Sequence, residues 1–332
     1  MMTGRRLTRH AGVMAACCSF MISLLVLLSC PSARSDDSAV LVSVQKSNTE
    51  SLLMSIQFRT VHTGWSVGAG GTILKTTDGG RQWRKVPSGT TAMLTAVFFI
   101  DQQVGWVTGA AGTLRRTANG GESWMPVPLD TQHALYHVSF VSPSVGWVIG
   151  GGGMILHTVD GGKHWVEQAS GTNATLYAGH FLTERHGTVV GALGTVLSTD
   201  DGGATWVPRE TQGAVTFFDV FFTDLSNGWA VGNAGALFQT TDGGGQWVDR
   251  TLPCGKTCTK LIDLLKVRFT SPQSGWIAGE RGRVYQTNDA GFSWNEGSPI
   301  TKASIFGLTF PDATHGWASG ENGTIVQLEL RR

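Results

Sequence analysis

Short apolar runs alternate with glycine-rich polar turns from residue 39 to the end of the chain. Runs this short, flanked by Gly, Asp, Asn and Ser, predict β-strands rather than helices. Residues 94–100, 105–109, 113–117 and a run from 124 onward read as one group of four strands. The group then returns along the chain. Gly-Trp pairs stand at Gly64-Trp65, Gly105-Trp106, Gly146-Trp147, Gly228-Trp229, Gly275-Trp276 and Gly316-Trp317, and Gly187-Thr188 fills the fourth position in register. Successive spacings are therefore 41, 41, 41, 41, 47 and 41 residues. A turn ending in tryptophan follows 18 residues after each Gly-Trp tryptophan position: Thr76-Thr77-Asp78-Gly79-Gly80-Arg81-Gln82-Trp83 is the first copy, and the others end at Trp124, Trp165, Trp206, Trp247 and Trp294. Seven units of four strands predict an all-β, seven-bladed propeller.

The phase of the repeat predicts how the ring closes. The seventh unit stops at Ile325-Val326-Gln327-Leu328 without the tryptophan-ending turn or a fourth strand, whereas an orphan run, Ala39-Val40-Leu41-Val42-Ser43-Val44, precedes the first unit. The orphan is expected to complete the last blade, which removes the sheet edge an open array would expose. One strand-three column reads Ile73, Leu114, Ile155, Val196, Leu237, Val284 and Ile325, aliphatic in every unit and so a packing layer between blades. Composition agrees: Gly 45 and Trp 12, with 15% charged residues, describe tight hairpins around an aromatic core.

The first residues read differently. Arg5, Arg6 and Arg9 precede an apolar stretch over 11–28 and small residues over 29–35, the layout of a signal peptide, with a single propeller domain expected over 36–332. An uncleaved membrane anchor is the competing reading, since the stretch is near the lower length limit for a span. Two cleavage sites compete as well. Ala33-x-Ser35 resembles an ordinary signal peptidase site, and Leu27-Leu28-Ser29-Cys30 resembles a lipobox in which Cys30 takes the lipid. The expected location is thus the periplasm or a lumen-equivalent space, with or without a lipid anchor. Removing 1–35 takes away four arginines and no acids, leaving 21 basic and 24 acidic side chains, about −3, which argues against nucleic acid. Only Cys254 and Cys258 would remain, an even pair suited to a local disulfide in an oxidising compartment, or else two free thiols.

The repeated turn, S/T-x-D-G-G-x-x-W, places Asp78, Asn119, Asp160, Asp201, Asp242 and Asp289 at one position. A carboxylate beside glycines also begins calcium loops. Six copies spaced one per blade cannot converge on one ion or substrate, however, and Asn119 shows that charge is dispensable. The expected role is structural, with the side chain accepting backbone N–H bonds and glycine supplying positive φ. The turn is that of the bacterial neuraminidase repeat and so raises sialidase chemistry. Only Tyr136, Tyr177 and Tyr285 are present to serve as the nucleophile; Tyr285 falls in a packing column, and no Arg-Ile-Pro segment appears. The histidines are scattered over blades, with only His133-x-x-x-His137 near ligand spacing. No catalytic residue, metal or cofactor is expected.

Units of the form Gly-Trp-x-x-Gly-x-x-Gly-x-x-x-x-x-Thr-x-Asp-Gly-Gly-x-x-Trp resemble the photosystem II stability and assembly factor family over roughly residues 39–330. The resemblance implies a non-enzymatic lumenal or periplasmic propeller that binds a membrane-protein precursor, with an arginine-rich patch. The equivalent strand-three column here reads Lys75, Arg116, His157, Ser198, Gln239, Gln286 and Gln327, so the patch is thin and a photosystem client is not implied.

A partner surface is expected at the turns between strands two and three, on the face opposite the Asp boxes. These tips are small or apolar in the first four units but read Asn233-Ala234, Glu280-Arg281 and Glu321-Asn322 in the last three. The six extra residues around Cys254 and Cys258 enter the same sector, with Arg250, Lys256 and Lys260 beside them. Loops on a rigid scaffold commonly carry recognition. The reading is a monomeric binding scaffold for a membrane or envelope protein, touching the membrane only through its client or a lipid anchor. The alternative is an extracytoplasmic sialidase-like or other glycoside hydrolase.

Overall fold

The computed structural model describes residues 40–211, 213–252 and 261–330. The expected signal segment with Cys30, and the loop residues Cys254, Lys256, Cys258 and Lys260, lie outside the described residues.

Among the described residues, twenty-eight strands form seven four-stranded antiparallel sheets, each ordered one to four from the inside outward. The first blade comprises Leu53–Phe58, Gly64–Gly68, Thr72–Thr76 and Arg84–Val86. The first strands of neighbouring blades touch all the way round, including Leu53–Phe58 against Ile305–Thr309 of the seventh blade, so the ring is closed. Closure is by the predicted route. Val40–Gln45 is the fourth strand of the seventh blade and pairs antiparallel with Ile325–Leu330 in six registers, from Val40↔Leu330 to Gln45↔Ile325. Its side chains are mostly exposed, so the clasp holds through its ladder rather than through burial.

The Gly-Trp and box tryptophans share one job, and a phenylalanine explains both. Strand one ends on Phe in six blades, from Phe58 to Phe269, and in the seventh Phe310 follows directly after Thr309. Phe99 illustrates the arrangement. Trp65 of the preceding blade stacks on its face with centroids 3.6 Å apart, and the box residue Trp124 of its own blade meets it edge-on at 5.7 Å. Each such aromatic pair is worth about 0.5–1.5 kcal/mol beyond the area it buries. The glycine before each Gly-Trp tryptophan is required because its own blade's phenylalanine covers it: a Cβ on Gly64 would lie 2.6 Å from the Phe58 ring. Gly187 is retained for the same reason although its tryptophan is not.

Thr188 therefore leaves Phe222 without an indole on its face, with only the His180 ring stacked at 6.3 Å, and a cavity of 270 Å³ opens between the fourth and fifth blades, lined among others by His180, Thr188, Ser198, Arg209 and Phe222. The neighbouring box confirms the space. A Cβ on Gly244 would meet nothing nearer than 3.6 Å, whereas one on Gly121 would lie 2.7 Å from the Trp65 indole. Thr188→Trp is expected to fill this slot and raise stability by about 1–2 kcal/mol. A higher urea midpoint checks it; an unchanged or lower midpoint contradicts it.

Candidate functional site

The Asp boxes fold as turns. In the first, Asp78 Oδ1 accepts the Gln82 N–H at 2.9 Å and the Thr76 hydroxyl at 2.8 Å, while Thr76 Oγ1 accepts the Gly80 N–H at 2.9 Å. Asn119 makes the same bond from Ser123 N–H at 3.1 Å, so a neutral amide closes the turn as well as a carboxylate does. Asp160, Asp201, Asp242 and Asp289 repeat it. These donors hold the carboxylates below their ordinary range, led by the His164 N–H for Asp160 and the Thr205 N–H for Asp201, which falls to about 2. Among the described residues no group of His, Cys, Asp and Glu converges in a metal-holding arrangement.

The strand-three polar column lies in the seams between blades, each member cross-strand from the Gly-Trp position. Lys75 is buried and donates to Glu122 of the next blade at 2.7 Å, beneath the Trp65 ring. The guanidinium of Arg116 lies 5.6 Å from the Trp106 ring centre, and His157 stacks on Trp147 at 4.9 Å. The structure gives these three residues to three successive seams.

The tips between strands two and three do lie opposite the Asp boxes, beside the connections between blades: Ala69 N–H bonds to Leu52 O and Gly71 N–H to Ala92 O. Their first residues clamp the chain entering strand one. Asn233 Oδ1 accepts Thr216 N–H at 2.8 Å, Glu280 Oε2 accepts Asp263 N–H at 3.3 Å, and Glu321 Oε2 accepts Ser304 N–H at 2.9 Å. The second residues, Arg281 and Asn322, are exposed with left-handed φ of 57° and 53°. Arg250, also exposed, follows strand four of the fifth blade, where its Nε meets Gln239 Oε1 at 3.4 Å.

Glu280 and Glu321 come together at a feature the sequence reading missed. The second residue of strand one is a β-bulge in every blade, marked by a register shift such as Leu53 to Ser55. A bulged residue is re-aimed out of the pleat. These seven side chains, Met54, Thr95, Tyr136, Tyr177, Phe218, Leu265 and Phe306, line the mouth of the central channel as a funnel of 370 Å³. Asp263, Lys266, Ser304, Glu280 and Glu321 complete its wall. Tyr136, Tyr177 and Phe218 form a continuous aromatic arc, with centroids 5.1 and 5.9 Å apart.

Deeper in the channel the walls turn polar for a backbone reason. Strand one is the inner edge of each sheet, so its outward N–H groups have no ladder partner. Side chains of the preceding blade supply one: Gln57 for Phe99, His180 for Phe222 and Asp219 for Val267. Asp219 also binds Arg268 at 2.5 Å and Lys266 at 3.7 Å. Burial alone would raise its pKa, but Arg268, Lys266 and the Val267 N–H outweigh that and hold it ionised, below its ordinary value.

His137 and His180 face the same channel, half-buried. Burial pushes His137 down to about 3 and His180 to about 4. Asp219 opposes the fall in both, while Arg268, together with Lys266 in the case of His137, adds to it. Their folded values lie below the unfolded value of about 6.5, so their neutral forms support the fold fully above that pH and the support is lost as pH falls toward about 4. Allowing for water in the channel, each histidine should cost about 1–2 kcal/mol between about pH 6.5 and 4.5. Urea midpoints across that window check this, and the His137→Gln, His180→Gln pair should flatten the profile.

Two solved structures share the fold at 20% identity. One, described as YCF48 bound to D1 peptide, has a TM-score of 0.72 and aligns over 87% of this chain and 94% of its own. The other, YCF48 from Cyanidioschyzon merolae, has a TM-score of 0.73 over 87% and 98%. A catalytically inactive virginiamycin B lyase from Staphylococcus aureus with quinupristin has a TM-score of 0.75 at 13% identity, over 88% and 100%. The propeller alone thus does not separate binding proteins from enzymes. No curated protein is significantly similar in sequence. The family described as Photosynthesis system II assembly factor YCF48 matches residues 38–132, 81–171 and 211–296. With the Gly-Trp seams, the Asp-box turns and the closed seven-bladed ring all in place, the chain belongs to the Photosynthesis system II assembly factor YCF48 family.

Proposed function

We propose that this chain is a non-enzymatic, exported scaffold that holds a membrane or envelope protein during assembly. The observation that carries the reading is the family match over most of the propeller, joined to a rigid funnel at the face where loop tips and blade connections meet. A relative solved with a D1 peptide supports a protein client, although this chain's thin basic column favours a different one. The carboxylates of the Asp boxes are committed to backbone N–H groups, and the polar tips clamp strand one, so these groups serve the architecture that displays the funnel.

Crosslinking in cells followed by pull-down from solubilised membranes tests the reading, with a fluorogenic glycoside panel run on the same preparation. A membrane or envelope protein captured in near-stoichiometric amount, with no turnover, is the expected result. Saturable glycoside hydrolysis without such a client would reverse it. Mass spectrometry of the mature N-terminus reports whether export occurs through cleavage near Ser35 or lipidation at Cys30.

A further inference from the structure

We propose that the central funnel is a receptor for one basic side chain, the ammonium of a lysine or the guanidinium of an arginine, projecting from an extended client segment. The inference rests on the scaffold reading and specifies the chemistry that the scaffold accepts. Three adjacent blades contribute Tyr136, Tyr177 and Phe218, and the wall also carries Asp263, Glu280 and Glu321, from the sixth and seventh blades. Aromatic faces together with carboxylates are the surroundings a cation prefers when it leaves water, because ring quadrupole and negative charge both oppose its desolvation.

The carboxylates are held ready. One oxygen of each accepts a backbone N–H: Asp263 from Ala234 at 2.9 Å, Glu280 from Asp263 and Glu321 from Ser304. A fixed carboxylate loses little entropy when it meets its ligand. Among the described residues none of the three forms an ion pair. Lys266, the cation in the funnel wall, is turned to Asp219 and so leaves the rim charge standing. A ligand carboxylate would meet three like charges, and a purely apolar ligand would bury those charges unpaired. The volume of 370 Å³ lies toward the low end for ligand sites, room for one long side chain with its apolar stem along the rings.

The test uses acetylated, amidated heptapeptides that differ only at the centre: arginine, lysine, citrulline or glutamate, measured by fluorescence anisotropy against the full mature chain. Arginine and lysine peptides are expected to bind, with citrulline weaker by about tenfold or more, the scale of a lost charge-assisted contact. The pair Glu280→Gln, Glu321→Gln keeps both backbone acceptors and removes the charge, so the fold should persist while the arginine peptide weakens by about tenfold. Tyr177→Leu should weaken it as well.

Equal binding of arginine and citrulline, preference for glutamate, indifference to the Gln pair, or no arginine-peptide binding at millimolar concentration would each overturn the inference. Membrane pull-down with the Gln pair keeps the two claims apart. A client retained without charge discrimination ends this inference alone, whereas no client for either protein ends the scaffold reading.

Discussion

A chain that begins at Lys46, without the strand Val40–Gln45, is expected to lose about 6 kcal/mol of stability and to aggregate at micromolar concentration. The strand's six ladder registers bring hydrogen bonds worth about 1 kcal/mol each. Its end also ties two blades: Gln45 Nε2 donates to Gly79 O at 2.8 Å, and Gln45 Oε1 accepts the Trp83 indole N–H at 3.0 Å. About 6 kcal/mol is comparable with the whole stability of many domains. The strand Ile325–Leu330 would then present an unpaired, mostly buried-type edge, a template for pairing with other chains. Urea titration and light scattering, set beside a chain beginning at Ser38, check both effects. An unchanged midpoint would mean that the seventh blade holds on three strands.

The second large effect is at the channel floor. Asp219→Ala should cost about 2–4 kcal/mol, because it leaves Arg268 and Lys266 without their counter-ion and Val267 without its acceptor. Both cations are about a quarter exposed, at 28% and 23%, so channel water keeps the loss below that of a fully sealed pair. Asp219→Asn, which can still accept the Val267 N–H, should fall between the wild type and the alanine variant. A midpoint within error of wild type for Asp219→Ala would show that water solvates both cations fully.

Architecture was legible in the sequence because a repeat writes each packing rule seven times. The column from Ile73 to Ile325 is buried in every blade, as its aliphatic character implied, and the surplus strand at one end matched the deficit at the other. The Asn119 exception disclosed the role of the box before any hydrogen bond was seen. The candidate site was harder to read. Asn233, Glu280 and Glu321 drew notice as polar tips, yet their clamping bonds depend on where the chain enters strand one, a relation within the blade that no column displays.

The funnel escaped for a different reason. Its residues occupy one column, Met54, Thr95, Tyr136, Tyr177, Phe218, Leu265 and Phe306, immediately after a buried aliphatic or aromatic residue. Strict alternation would place that second residue on the side of the pleat opposite the first, and only the bulge turns it into the channel. Two adjacent bulky residues at the start of six of the seven first strands, with Leu94-Thr95 the exception, were the available signal. The charges of Asp219, Lys266 and Arg268 lay in two neighbouring strand-one segments, and only ring geometry brings them within bonding distance across 49 positions.

Val40 pairs with Leu330, whose N–H reaches Thr314 O in the turn between strands one and two, so the clasp starts on the Asp-box side of the disk. Val40 itself therefore lies on the side away from the funnel. A surface to which the protein is coupled by that end, whether a sensor chip or a resin, would leave the mouth pointing into solution, whereas coupling through the loop tips would cap it. Immobilisation chemistry alone should then switch peptide capture on or off.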